Sequence, residues 1–438
     1  MTREEEIVRS TVAALASTVT HVPPLRITEA ADELNPSSQR SAARRWRTWG
    51  APLAATAIVI TLAVVLVVVR NTPNGGGVTP VAPANCALPG VTRSTHAIAA
   101  PSVDGVPPYY VEVVTCTGKS TSRSALLVGD TFTGKVLATV APPAGTSFRS
   151  VSAASDDRTF AVFATPAGAG PTVAGWWYLL RLAPGTSSPA RLTRIPVKPL
   201  ADVAETELSG SGQELAVGVA SDEARTPSIE VYSVATGRLL RSWSPHGALP
   251  FSIEGWSAAW FQGVSGDPQY SALTWVHGDQ AIMFWTVVNG GAGDLRRLDL
   301  AGDGSDIVKD SQVIWSTAHH ECDGFSEVGA DGKTVICPVV GPGSAKADLT
   351  VRWLAYPVTA PTAPAVLYQA LVDAPDISVS TPWVSASGAA AIVEWSENQP
   401  PHGALKLAGF GLVSHGKFTP LKSPPTSTGV VGPPLIAW

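Results

Sequence analysis

One phrase recurs along this chain: a polar turn followed at once by an apolar run. Asp157-Arg158-Thr159-Phe160-Ala161-Val162 is one copy, and Gly212-Gln213-Glu214-Leu215-Ala216-Val217 is another. Gly278-Asp279-Gln280-Ala281-Ile282-Met283, Gly332-Lys333-Thr334-Val335-Ile336-Cys337 and Gly388-Ala389-Ala390-Ala391-Ile392-Val393 continue the series. The last residues of these copies, 162, 217, 283, 337 and 393, are 55, 66, 54 and 56 apart. A weaker early copy places Asp104-Gly105 before Tyr109-Tyr110-Val111-Glu112-Val113. A second phrase keeps the same beat: Thr133-Gly134-Lys135-Val136-Leu137 and Thr236-Gly237-Arg238-Leu239-Leu240 lie 103 residues apart, close to two periods. Units of this length, each with several strands and turns, are the signature of a β-propeller. A small twisted sheet alone leaves both faces wet, and stacking such sheets around an axis buries them.

Six copies account for residues 86–438, since 353 residues divided by six is about 59. Seven blades is the alternative count, and a β-sandwich with coincidental spacing the competing fold. The fourth unit carries the surplus, with an insertion around Gly255 to Tyr270. Composition agrees with an all-β reading, because 40 Gly and 37 Pro in 438 residues demand many turns and leave little helix. Charged residues are only 15% against 45% apolar, which excludes disorder through charge excess. A net charge of −5 leaves no electrostatic footprint for nucleic acid. Ring closure is predicted at the chain's end: Leu435-Ile436-Ala437-Trp438 is apolar throughout, as an innermost strand should be, and is expected beside Tyr109 to Val113.

A second constraint lies near the N-terminus. Ala51 to Val69 is 19 residues without a charge, about 28 Å as a helix. In lipid only a helix satisfies so many consecutive peptide groups internally. Arg40, Arg44, Arg45 and Arg47 precede the run and Arg70 follows, so the positive-inside rule puts the N-terminus in the cytoplasm. Trp46 and Trp49 fall at the expected interface. A cleaved signal peptide would need an n-region of nearly fifty residues, and no small-x-small site follows the apolar run. The expected organisation is therefore a cytoplasmic tail over 1–48, a transmembrane helix over 49–70, a Gly/Pro linker over 71–85 and an extracytoplasmic propeller over 86–438. Within the tail, residues 2–20 read as a short amphipathic helix with a capping box from Thr2 to Glu5. Its Val8, Val12, Leu15 and Val19 stripe would either dock a cytoplasmic partner or lie on the membrane.

All four cysteines, Cys86, Cys116, Cys322 and Cys337, follow the span. An even count on the oxidising side suggests two disulfides, with four buried thiols the alternative. Cys322 and Cys337 flank the turn Gly329-Ala330-Asp331-Gly332, so a hairpin brings them together and leaves Cys86 for Cys116.

The run Ser152-Ala153-Ala154-Ser155-Asp156-Asp157-Arg158-Thr159-Phe160, with the hairpins at 231–243 and 127–140, resembles WD-repeat-like and TolB-like bacterial propellers. The layout as a whole resembles actinobacterial single-pass membrane proteins with an extracytoplasmic propeller. Some proteins of that layout resemble anti-sigma regulators, which implies a cytoplasmic partner such as a sigma factor. The Gly-His and Trp-Asp dipeptides of true WD repeats are missing, and the tail lacks the His/Cys zinc motif of one large anti-sigma class. The resemblance is structural and carries over no catalytic or binding residue.

The chemistry of the chain is correspondingly quiet. No G-x-S-x-G elbow occurs, and Gly341-Pro342-Gly343-Ser344-Ala345-Lys346 fails the P-loop spacing. His319-His320-Glu321-Cys322 looks like a ligand cluster, but adjacent residues of an extended segment point to opposite faces. Asp299, Asp303 and Asp306 lack EF-hand spacing and fit a hairpin turn better than a Ca²⁺ site. His415 beside Ser414 is an isolated pair in a turn. Fourteen Trp either stack on a ligand or pack between blades, and their strand-like contexts favour packing. No catalytic residue, metal ligand or cofactor is expected from these patterns. The expected role is a non-enzymatic interaction or sensing module, contacting the bilayer, an envelope ligand or protein, and a cytoplasmic protein at the tail. A propeller lyase or hydrolase and a passive scaffold are the alternatives. Converging Asp, Glu or His at the central mouth would favour the enzyme, and an exposed aromatic patch would favour binding.

Overall fold

The computed structural model describes residues 105–438 except for short stretches, the longest being 254–272 and 423–434. The tail, the apolar run, the linker and Cys86 lie outside the described residues, as does most of the insertion in the fourth unit. Among the described residues no helix is long and apolar enough to cross a membrane.

The described chain forms six antiparallel sheets, the blades of a propeller. Blade 1 combines β1 (Tyr109–Thr117), β2 (Ser122–Asp130) and β3 (Val136–Val140) with the last strand, β25 (Leu435–Ala437). Blade 2 is β4 (Thr146–Ala153), β5 (Thr159–Pro166), β6 (Trp176–Leu182) and β7 (Ala190–Arg194). Blade 3 is β8 (Val203–Leu208), β9 (Glu214–Val219), β10 (Ser228–Ser233) and β11 (Leu239–Trp243). In blade 4 both β12 (Ser252–Ile253) and β13 (Leu273–Val276) pair with β14 (Ala281–Val288), followed by β15 (Ala292–Asp299) and β16 (Ser311–Ser316). The insertion therefore interrupts that blade's first strand. A four-residue helix, α1 (Ile307–Asp310), precedes β16. Blade 5 is β17 (Glu327–Val328), β18 (Thr334–Pro342), β19 (Asp348–Pro357) and β20 (Ala365–Asp373). Blade 6 is β21 (Ile377–Val384), β22 (Ala390–Gln399), β23 (Ala404–Ser414) and β24 (Lys417–Pro420).

The recurring phrase marks the turn from the first to the second strand of a blade. The second strands each carry a short apolar run, over 160–164, 215–217, 281–285, 335–340 and 390–393, because both faces are covered there. In β5, Phe160 and Val162 pack toward blade 1, while Ala161 and Phe163 pack toward blade 3. Interblade cores of this kind run around the ring: Trp243 meets Phe284, Trp285 meets Val335, and Trp353 meets Trp395. The final core joins Ile392 and Leu412 of blade 6 to Tyr110 and Trp438 of blade 1. The ring is closed by the predicted strand, with Val111 opposite Ala437, Glu112 opposite Ile436 and Val113 opposite Leu435.

The turns repeat in atomic detail. Ala154, Ser209, Gly329 and Ser385 each donate a backbone N–H to the residue five further on, at 2.8 to 3.0 Å. Positive φ falls at the same place in each, 57° at Asp157, 69° at Gly212, 70° at Gly332 and 69° at Gly388. Hydrogen bonds then link one turn to the next along one face of the ring. Ser155 N donates to Gly210 O (3.0 Å), His277 N to Ala330 O (3.0 Å), and Asp331 N to Ala386 O (2.9 Å). Asp279 accepts from Gly210 N (2.7 Å) and Ser211 N (2.8 Å). Blade 4 departs from the common turn, with positive φ at His277, Gly278 and Asp279 in succession, and this turn bridges both of its neighbours.

Candidate functional site

The first strands of blades 3 and 5 carry three glutamates that share one electrostatic neighbourhood. Thr206 and Leu208 of β8 face blade 2, where Thr206 Oγ1 accepts from the indole N–H of Trp177 (3.1 Å). Glu205 and Glu207 alternate with them along the strand. Leu273 N donates to Glu205 Oε1 (3.2 Å), Trp275 Nε1 donates to the backbone carbonyl of Glu207 (3.0 Å), and the Glu207 side chain meets the Ser152 hydroxyl of blade 2. From blade 5, Glu327 of β17 joins them.

Burial, then the charges of Glu205 and Glu327, hold the Glu207 carboxyl well above the ordinary carboxylate range. The Ser152 hydroxyl pulls the other way. Glu327 is raised for the same reasons, burial first and Glu205 second. Both side chains keep some solvent contact, while protein surrounds them closely enough to weaken hydration of a charge. Such carboxyls are harder to ionise than exposed ones and favour an incoming cation that lets them ionise.

These residues are absent from the sequence-based expectations, yet the repeat held a signal. Glu207 stands five residues before Gly212, and Glu327 five before Gly332. The same position in blade 2, five before Asp157, is Ser152, whose hydroxyl reaches Glu207 and also accepts from Leu208 N (2.7 Å). One repeat position from three blades thus supplies Ser152, Glu207 and Glu327, and Glu205 lies two residues earlier on β8.

Cys322 and Cys337 form the expected disulfide, with Cα atoms 5.6 Å apart. It ties the segment leading to β17 to β18, one residue from the Glu327–Ile336 pair. Cys116 lies on β1 opposite Arg123, and its expected partner Cys86 is outside the described residues. A bridged Cys322 has no thiolate to offer a metal, and His319, His320 and Glu321 lie outside the described residues. Among the described residues no group of three His, Cys, Asp or Glu is placed to hold a metal ion.

The aspartates near Gly302 have structural employment. Asp306 caps α1 by accepting from Val308 N (3.0 Å), and Asp299 accepts from Arg297 Nε (2.8 Å). Asp303 lies outside the described residues. Ser414 Oγ and His415 Nδ1 are 2.7 Å apart in the β23–β24 turn, remote in sequence and strand position from the glutamates. The described tryptophans follow the packing expectation: Trp177, Trp243 and Trp353 are fully buried between blades. Trp256 and Trp260 lie outside the described residues. The large apolar side chains exposed among the described residues are Val173, Leu239, Val313, Val366 and Leu371, none of them aromatic.

Fold and pairing define the class, a six-bladed β-propeller whose first blade is completed by the chain's last strand. No family model matches the sequence, and no curated protein matches it. Solved propellers resemble it in fold. An oligogalacturonate lyase in complex with manganese is 10% identical over 66% of this chain and 73% of its own, with a TM-score of 0.38. The propeller domain of the trilobed protease from Pyrococcus furiosus is 8% identical over 72% and 82%, with a TM-score of 0.39. An acylaminoacyl peptidase in complex with a chloromethyl ketone is 9% identical over 73% of this chain and 45% of its own, with a TM-score of 0.40.

Proposed function

We propose that the chain is a membrane-anchored, extracytoplasmic propeller that works as a non-enzymatic interaction or sensing module. Its ligand would present a cationic group to Glu205, Glu207 and Glu327. The observation that carries this reading is the convergence of three carboxyls from two blades, with no basic side chain among the causes of the shifts at Glu207 and Glu327. Support for the anchor comes from the 19-residue apolar run and the arginines before it. The tail beyond that anchor would pass the binding event to a cytoplasmic regulator, a sigma factor being the kind of partner that the resemblance implies.

The same clustering of carboxyls, together with the lack of an exposed aromatic side chain among the described residues, favours a second reading by the criterion set from the sequence. Carboxyls held above their ordinary pKa are what general acid–base chemistry uses, so a propeller lyase or hydrolase would draw on the same residues. Calorimetry of the full chain in detergent with a tetralysine peptide separates the two. The binding module predicts saturable, salt-sensitive association that weakens at least tenfold in the E205Q/E207Q/E327Q variant. Equal affinity in that variant contradicts the proposed site, and turnover of added oligosaccharide or peptide that needs Glu207 replaces the binding module with the enzyme.

A further inference from the structure

Closure of the ring rests on three residue pairs between β1 and β25, and a carboxyl group sits in the middle pair, Glu112 opposite Ile436. The Glu112 side chain is 1% exposed, and its Oε2 has no hydrogen-bond partner. Around the same seam the Tyr110 hydroxyl, the Trp438 indole N–H and the Thr381 hydroxyl of blade 6 are likewise buried without partners. The Tyr110 ring fills the space that a side chain at Gly129 would take, and it lies 6.2 Å from the Trp438 ring, which locks the seam sterically. An ionised carboxylate with one oxygen unpartnered is strongly disfavoured in such a place, while a neutral acid is tolerated.

We propose that Glu112 makes the closing strand a proton-controlled latch. With Glu112 protonated, β25 stays seated on β1; with Glu112 ionised, β25 is released and the seam between blades 1 and 6 opens. No covalent chemistry is involved, only a proton passing to solvent.

The groups facing Glu112 leave it in control. On β1 itself, Tyr110 is pushed above its ordinary value by burial, Glu112 and Asp130, and stays neutral throughout. Asp130, fully buried at the end of β2, accepts through its Oδ1 from Phe132 N (3.1 Å) and from Thr133 N and Oγ1 (both 2.8 Å), while its Oδ2, like Glu112 Oε2, has no partner. β21 of blade 6 brings Ser380 and Thr381, which do not titrate. β4 of blade 2 brings Ser147 and Arg149, whose guanidinium is held by Thr165 Oγ1 (2.9 Å) and the Ala169 carbonyl. The side chains of Ile436, Ala437 and Trp438 carry no charge.

Burial pushes the Glu112 carboxyl from 4.5 up to about 8 in the closed ring. Released into water it returns to the ordinary value. Between those limits the open form binds fewer protons than the closed one, so opening becomes easier as pH rises. The opening equilibrium therefore grows about tenfold per pH unit from roughly pH 5 to 8 and levels off above.

Hydrogen exchange followed by mass spectrometry on the full chain in detergent, from pH 5 to 9 and corrected for intrinsic rates, reads this directly. Protection of residues 435–438 and 111–113 should fall about tenfold per pH unit up to pH 8, while β19 of blade 5 keeps its protection. E112Q, neutral at every pH, should hold the strand closed across the range. A flat profile in the unmodified chain overturns the latch, as does the same slope in E112Q. If β19 loses protection in step with β25, the event is global unfolding and the latch is equally wrong. Should E112Q fail to fold, E112M serves as the neutral variant, and the profile of the unmodified chain still decides.

Discussion

Gly332 shows how much of this fold is decided at single positions. Its φ of 70° lies in the left-handed region, and a Cβ there would meet His277 Nε2 of blade 4 at 2.7 Å. Both the backbone preference and the close approach require glycine. Asp157, with φ of 57°, occupies the equivalent turn in blade 2, so the position tolerates an aspartate where the neighbouring turn leaves room. G332A should therefore destabilise the protein by about 1–3 kcal/mol, read as a lower denaturant midpoint with unchanged slope. An unaltered midpoint would mean that the turn chain contributes nothing to stability. Trp177 makes the complementary case for packing, since its ring is fully buried between blades 2 and 3 and its N–H is satisfied by Thr206.

Among the elements, β25 carries the largest burden for its length. Its three residues complete blade 1, cover the edge of β1 and bring Trp438 against Tyr110 and Phe410. Without them blades 1 and 6 present an open strand edge and a wet apolar seam. Removing residues 434–438 should lower the melting temperature by roughly 5 °C or more and make residues 105–117 sensitive to protease. A truncated chain that melts and resists digestion like the intact one would contradict the closure. This strand was legible in the sequence because four consecutive apolar residues stand after a Pro-rich stretch, where an inner strand is needed. The second strands were legible for a similar reason, each carrying a short run that is apolar on both faces. First strands were harder: Val203-Ala204-Glu205-Thr206-Glu207-Leu208 looks like a solvated strand, and β17 has only two residues. Their glutamates face a shared interior, a placement that depends on blades far apart in the chain. Likewise Glu112 reads as the polar member of an alternating strand until β25 and blade 6 cover it. Local pattern specifies which residues alternate, whereas ring closure decides which of them lose water.

At the scale of the whole molecule, the propeller, the inner carboxyls and the apolar run fit one arrangement. The ring gathers the glutamates from separate blades, a disulfide ties down the shortest of the contributing strands, and the apolar run before the ring is proposed to cross a bilayer once. The side of the membrane on which the ring sits is decisive, because the proposed ligand and cytoplasmic partner both follow from it. The direct measurement is labelling of intact cells of a suitable host with a membrane-impermeant maleimide. One variant carries A235C, in the exposed β10–β11 turn, and the other S37C, in the segment before the apolar run. The account predicts that A235C is labelled in intact cells and S37C only after the membrane is opened. Labelling of S37C in intact cells with A235C protected until lysis would contradict it.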